Sequence, residues 1–109
     1  MKKVILIIHI FVLSIAFADD QPDVYILCEG VWGEGNGSLW SISDGEINQE
    51  FNMIGDVSQS IYSHRDLLFV ANNASSSIQI YRIEDSGVYL DDEVDTNGSG
   101  PREMLVHDN

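Results

Sequence analysis

Setting Gly55 against Gly98, a shift of 43 residues, brings two stretches of the chain into one pattern: a glycine turn, a polar residue, a short apolar strand and a charged turn. Gln59 then falls on Arg102, Ser60 on Glu103, Ile61 on Met104, Tyr62 on Leu105 and His64 on His107. Upstream, VYILCEG at Val24 to Gly30 falls on LLFVANN at Leu67 to Asn73. Within the first comparison only the Gly55/Gly98 and His64/His107 pairs are identical, so pattern recurs more than sequence. A period in the low forties suits a four-stranded β unit that buries its faces by stacking on its neighbours, and this restricts the fold more than any single motif does.

The first eighteen residues are expected to stand apart from the repeats. Lys2 and Lys3 precede an almost unbroken apolar run from Val4 to Ile15, and Ala16-Phe17-Ala18 gives a small-x-small cleavage pattern before Asp19. This is the signature of a secretory signal peptide over 1–18, and the run is short for a membrane span, which needs about 20 apolar residues. The expected localisation is exported: periplasmic, cell-surface or extracellular, with no stable membrane span after cleavage. Residues 19–23 form a polar lead-in, and the repeats follow as units 24–66 and 67–109.

Charge narrows the partners. The chain carries a formal net charge of −13, and both of its lysines lie in the leader. Beyond it, Arg65, Arg82 and Arg102 stand against 18 acidic residues. Such a surface repels nucleic-acid phosphates and anionic lipid, so no nucleic-acid partner is expected. Cys28 stands alone, which rules out a framework of disulfides. Aligned with Ala71, it is expected to be a small buried strand residue, with an intermolecular disulfide as the alternative.

In chain order, strands are expected over Val24–Cys28, Ser38–Ser43, Glu46–Phe51, Ser58–Tyr62, Leu67–Ala71, Ser77–Ile83 and Val88–Val94, with a further inner strand at Met104–Val106. Asp44-Gly45 is a strong hairpin signal. The continuous apolar run Leu67–Ala71 predicts a fully buried strand, and Ile78 and Ile80 alternate with Gln79 and Tyr81 as in a half-buried one. No segment offers an amphipathic helix of ten or more residues. The expected fold class is all-β: antiparallel four-stranded blades of a β-propeller, incomplete in this chain. Two blades cannot cover each other's faces all round, so the chain is expected to be the N-terminal piece of a longer protein or a truncated product. A self-contained small β-sandwich is the alternative.

The stretches CEGVWGEGNGSLWSIS, GDVSQSIYSHRDLLFVANNASSSIQIYRI and GSGPREMLV together resemble the exported bacterial β-propellers of the YVTN/YncE-like class. The resemblance covers almost all of the chain after the leader, about two blades of the seven that it implies for a complete β-propeller of this class. It departs from the family at Cys28, where asparagine is common, at Gly55-Asp56-Val57-Ser58, which lacks the usual proline, and at Phe69-Val70-Ala71-Asn72 in place of Tyr-Val-Thr-Asn. It implies a binding or scaffold module at the cell envelope. The alternative it leaves open is a fragment of a propeller enzyme, quinoprotein dehydrogenase-like or lactonase-like, with its site in other blades.

Candidate site residues follow from these assignments. Gln59 and Arg102, equivalent by the shift, would line a central channel, where Arg102 offers a planar fork of donors to a carboxylate or phosphate. The alternative is that Arg102 pairs with Glu103 or Asp56 and holds blades in register. Trp32 and Asn36 lie in the glycine loop Glu29–Gly37, the best contact surface for a protein, peptide or glycan partner. Glu93, Asp95 and Asn97 resemble the front of a calcium loop, but Met104 occupies the position of the bidentate carboxylate. Calcium is therefore a weak candidate, and no cofactor is expected otherwise. His64 and the serines Ser58, Ser60 and Ser63 share one strand and turn with no placed acid, which gives catalysis little support. The triplets at Asn36, Asn73 and Asn97 match the glycosylation pattern, as Asn/Gly/Ser-rich loops often do.

Overall fold

The computed structural model describes Pro22 and residues 24–107; the expected leader, 1–18, lies outside the described residues. The described residues form seven strands and no helix: β1 Val24–Cys28, β2 Ser38–Ser43, β3 Glu46–Phe51, β4 Ser58–His64, β5 Leu67–Asn72, β6 Ser77–Glu84 and β7 Gly87–Asp95. Each strand pairs antiparallel with the next within its sheet, giving a three-stranded sheet β1-β2-β3 and a four-stranded sheet β4-β5-β6-β7. The Asp44-Gly45 hairpin forms as its sequence requires, with both residues at positive φ, 50° and 79°. The described residues are all-β, as expected. The 66/67 repeat boundary falls in the turn between β4 and β5, inside the second sheet.

One expected strand is missing. Residues 101–107, which include Met104–Val106, form no strand. A strand exists only where a neighbour takes its backbone hydrogen bonds, and no described strand lies beside this segment.

The two sheets stack face to face. Leu39 of β2 joins Leu68, Val70, Tyr81, Ile83, Val88 and the linker residue Ile54 in one buried cluster, with Tyr25, Leu27, Phe51 and Ile61 packed against it. Tyr81 lies at its centre, 1 % exposed, its ring centroid 4.8 Å from that of Phe51. The sequence expectation for β6 is thus reversed: Tyr81 and Ile83 are buried against the first sheet, whereas Ile78 and Ile80 are half-buried on the far face. In β5, Leu68, Val70 and Ala71 are buried while Leu67 and Phe69 are only half-buried, so this strand alternates instead of being covered throughout.

The hairpin ends show which positions of the two sheets are equivalent. Cys28 lies opposite Ser38 where β1 leads into β2, and Asn72 lies opposite Ser77 where β5 leads into β6. The offset from β1 to β5 is therefore one residue longer than the shift that relates Gly55 to Gly98. Cys28 corresponds to Asn72, not Ala71, and a one-residue slip exchanges the faces of a strand. Tyr25 and Leu27 then correspond to Phe69 and Ala71, and Val24 and Ile26 to Leu68 and Val70. Tyr25 and Leu27 face the second sheet, but their counterparts face away from the first. The sheets stack in the same sense, front of one on back of the next.

Cys28 is exposed, which corrects the expectation that it is buried. It ends an edge strand: among the described residues β1 pairs only with β2, whereas β5 is flanked by β4 and β6. Ala71, protected on both sides, is 0 % exposed.

The Tyr81 hydroxyl donates to Gln79 Oε1 at 2.7 Å, and Gln79 Nε2 donates to Glu93 Oε2 at 2.7 Å. Burial, reinforced by the Glu93 charge, pushes the Tyr81 phenol up to about 12. Because the folded pKa lies above the unfolded one, the unfolded chain loses this proton first as pH rises, and stability falls through the window from pH 10 to about 12. Tyr81→Ala is expected to cost about 3–5 kcal/mol in chemical denaturation, the range for removing a buried aromatic ring. Tyr81→Phe is expected to retain most of the packing and to flatten the loss of stability above pH 10 relative to the parent chain.

Candidate functional site

One end of the stacked sheets is made of three loops: 29–37 between β1 and β2, 52–57 between β3 and β4, and 73–76 between β5 and β6. They are sewn together by backbone. Gly37 N donates to Gly55 O at 3.0 Å, Ile54 N to Gly37 O at 3.1 Å, and Ser58 N to Glu29 O at 3.3 Å. Asn36 and Gly55 form a parallel bridge. The close approach needs glycine: a Cβ on Gly55 would lie 2.5 Å from Asn72 Cγ. Gly30 has a φ of 80°, and a Cβ there would meet Asn36 Oδ1 at 2.5 Å.

Two polar side chains hold this end in place. Asn72, fully buried, accepts from Ser58 Oγ at 2.7 Å and donates from Nδ2 to Ile54 O at 3.2 Å, tying β5 to β4 and the linker. Asp56 joins all three loops. Its carboxylate accepts from Gly33 N at 2.9 and 3.1 Å, its amide donates to Ser75 Oγ at 2.7 Å, and its carbonyl accepts from Ala74 N at 3.1 Å. Neither role was legible in the sequence, since no spacing rule pairs Gly33 with a residue on the linker of the next sheet.

The sequence candidates are placed differently from one another. Trp32 stands at the tip of the first loop, 76 % exposed, so it does not fold back onto the neighbouring sheet. Asn36 serves the loop itself: its Oδ1 accepts from Val31 N at 2.6 Å and its Nδ2 donates to Glu34 Oε2 at 3.3 Å. Gln59 is exposed at an irregularity of β4 where the register shifts between Ser58 and Ser60. Arg102 is exposed on the strandless segment. No hydrogen bond joins Gln59 to Arg102, and among the described residues Arg102 makes no ion pair. Asp56, a possible partner for it by sequence, has its carboxylate on Gly33 N instead.

The calcium candidates are engaged in other contacts. Glu93 accepts from Gln79, Asp95 Oδ1 accepts from Asn97 N at 2.7 Å, and Asn97 turns the chain at a φ of 54°. Among the described residues no group of three or more His, Cys, Asp or Glu side chains converges on a metal position. At the opposite end of the sheets, Tyr25, Ser41, Glu50 and the turn 84–88 line a shallow cleft. The Tyr25 hydroxyl is buried there, and burial, then the Glu50 charge, raises its pKa. Among the described residues, no helix is long and apolar enough to cross a membrane.

Compared with protein-family models, with curated proteins and with solved structures, the chain gives no significant match.

Asp56→Ala removes the acceptor that holds Gly33 and is expected to speed amide hydrogen exchange across residues 31–35 while leaving the β5 and β6 amides protected. Loss of a charge-assisted hydrogen bond of this kind costs about 1.5–3 kcal/mol at most, and less here because the loop is exposed.

Proposed function

We propose that the chain forms blades of an exported β-propeller that acts as a noncatalytic binding or scaffold module at the cell envelope, presenting the loop end described above to a protein, peptide or glycan. The observation that carries this reading is Trp32: a large aromatic side chain held 76 % exposed at the tip of a loop whose backbone is fastened by Asn36 and Asp56. An aromatic ring that stays in solvent on a braced loop offers broad apolar area at little entropic cost on binding. The propeller reading is supported by the stacking sense of the two sheets, which relates repeats by a rotation instead of joining like faces as a simple sandwich would. In that arrangement Gln59 and Arg102 occupy equivalent inner positions on successive blades.

Trp32 is also the reporter for the test. Envelope-derived peptides and oligosaccharides are titrated against the chain while tryptophan emission is followed, with Trp40 half-buried as the constant background. A ligand that shifts the emission of the parent chain, and binds Trp32→Ala at least about tenfold more weakly, supports the reading, since the loss corresponds to about 1.4 kcal/mol. Unchanged affinity in Trp32→Ala refutes the loop as the binding surface.

A further inference from the structure

We propose that the partner taken by the Trp32 loop is a cationic peptide, an arginine or lysine side chain of which lies across the indole while its head group meets the carboxylates of Glu34 and Asp56. The inference rests on the reading of this loop as a contact surface and names the chemistry of what it contacts.

The loop joins apolar area to uncompensated negative charge. Val31 and Trp32 are exposed by 56 and 76 %. The carboxylates beside them are held by the frame of the loop: Asp56 accepts from Gly33 N, the amide next to Trp32, at 2.9 and 3.1 Å, and Glu34 Oε2 accepts from Asn36 Nδ2 at 3.3 Å. An ionised carboxylate offers about four lone-pair sites, so both keep acceptor capacity for a second donor. No cation of the chain takes it up. The three loops at this end carry Glu29, Glu34 and Asp56 and no lysine or arginine. Among the described residues Arg82 is committed to Asp66 and Asp91, and neither Arg65 nor Arg102 pairs with a carboxylate.

A long basic side chain fits both parts at once. Its aliphatic stem covers apolar surface while its head stays with the charges, and an ammonium or guanidinium over an indole face gains cation–π attraction. Arginine suits the loop best, because its planar fork stacks on an aromatic ring and donates to two acceptors. A neutral glycan also stacks on indole, but it is oriented by uncommitted amides and hydroxyls. Here Asn36 spends both its side-chain oxygen and its nitrogen within the loop, and Ser75 Oγ accepts from Asp56 N. The groups left over are carboxylates, which select for a cation.

A short peptide alternating glycine and arginine is titrated against the 109-residue chain with tryptophan emission as the readout, beside the same peptide carrying citrulline, the neutral isostere of arginine. The arginine peptide is expected to bind at least about tenfold more tightly than the citrulline peptide. Glu34→Gln keeps an acceptor for Asn36 Nδ2 and is expected to weaken the arginine peptide by about two- to fivefold, as for loss of an exposed charge pair. Glu46→Gln removes an exposed charge from the far end of β3 and is expected to leave the affinity unchanged. Failure of the arginine peptide to bind, equal binding of the citrulline peptide, or equal weakening by Glu46→Gln and Glu34→Gln overturns the proposal. If a neutral oligosaccharide binds in a Trp32-dependent way and the arginine peptide does not, the cationic assignment falls and the loop remains the contact surface. If the arginine peptide binds and Trp32→Ala leaves its affinity unchanged, both fall.

Discussion

The apolar layer between the sheets is the contact on which the rest depends. Each sheet buries one apolar face on the other, and without that contact those faces would lie in water. Leu39, Phe51 and Tyr25 from the first meet Leu68, Val70 and Tyr81 from the second, and the Phe51–Tyr81 contact closes the middle of that layer. Burying apolar area in this way yields about 25 cal/mol for each Å² removed from water, which makes it the main term favouring the stack. The loop end is positioned by it: Ile54 belongs to the same buried cluster, and the linker it anchors carries Gly55 and Asp56 to the glycine loop.

Because the layer is built from a repeat, each sheet turns a different face toward its neighbour. Among the described residues, the outward faces carry Val24, Ile26 and Ile47 on the first sheet and Tyr62, Phe69 and Ile80 on the second. The surface elsewhere works against indiscriminate sticking. β7 presents Asp91, Asp92, Glu93 and Asp95 along its exposed length, and Arg82 is held by Asp91 at 2.9 Å and Asp66 at 3.3 Å. Acidic edges blunt strand pairing, and on β7 they do so on the edge away from β4. The open edge of β1 has no comparable run of charge.

The loop end joins flexibility of composition to rigidity of contact. Gly30, Gly33 and Gly35 all have positive φ, which their sequence permits. What makes the loop a defined surface is the set of acceptors around it: Asn36 for Val31, Asp56 for Gly33, Gly55 for Gly37. Trp32 stands 76 % exposed between two tied backbone amides, Val31 N and Gly33 N. Asn36 is therefore part of the loop's frame, while Trp32 is its contact element.

All seven strands were legible from local signals, to within two residues at each end, because apolar runs between glycine and charged turns have few other uses. The Asp44-Gly45 hairpin followed from the preference of Asp-Gly for positive φ at both turn positions, and the long loop at Glu29–Gly37 from its glycines. Which face of each strand is buried was not legible. In β6, Ile78, Ile80, Tyr81 and Ile83 offer apolar candidates on both faces, and the register with β5, which sets Tyr81 opposite Leu68, decides the choice. Composition and period thus determined that the described residues are all-β, in antiparallel sheets. Only the tertiary structure decided that Tyr81 is core, that Cys28 is exposed, and that Asp56 braces a loop 23 residues away, because each depends on which strand lies alongside.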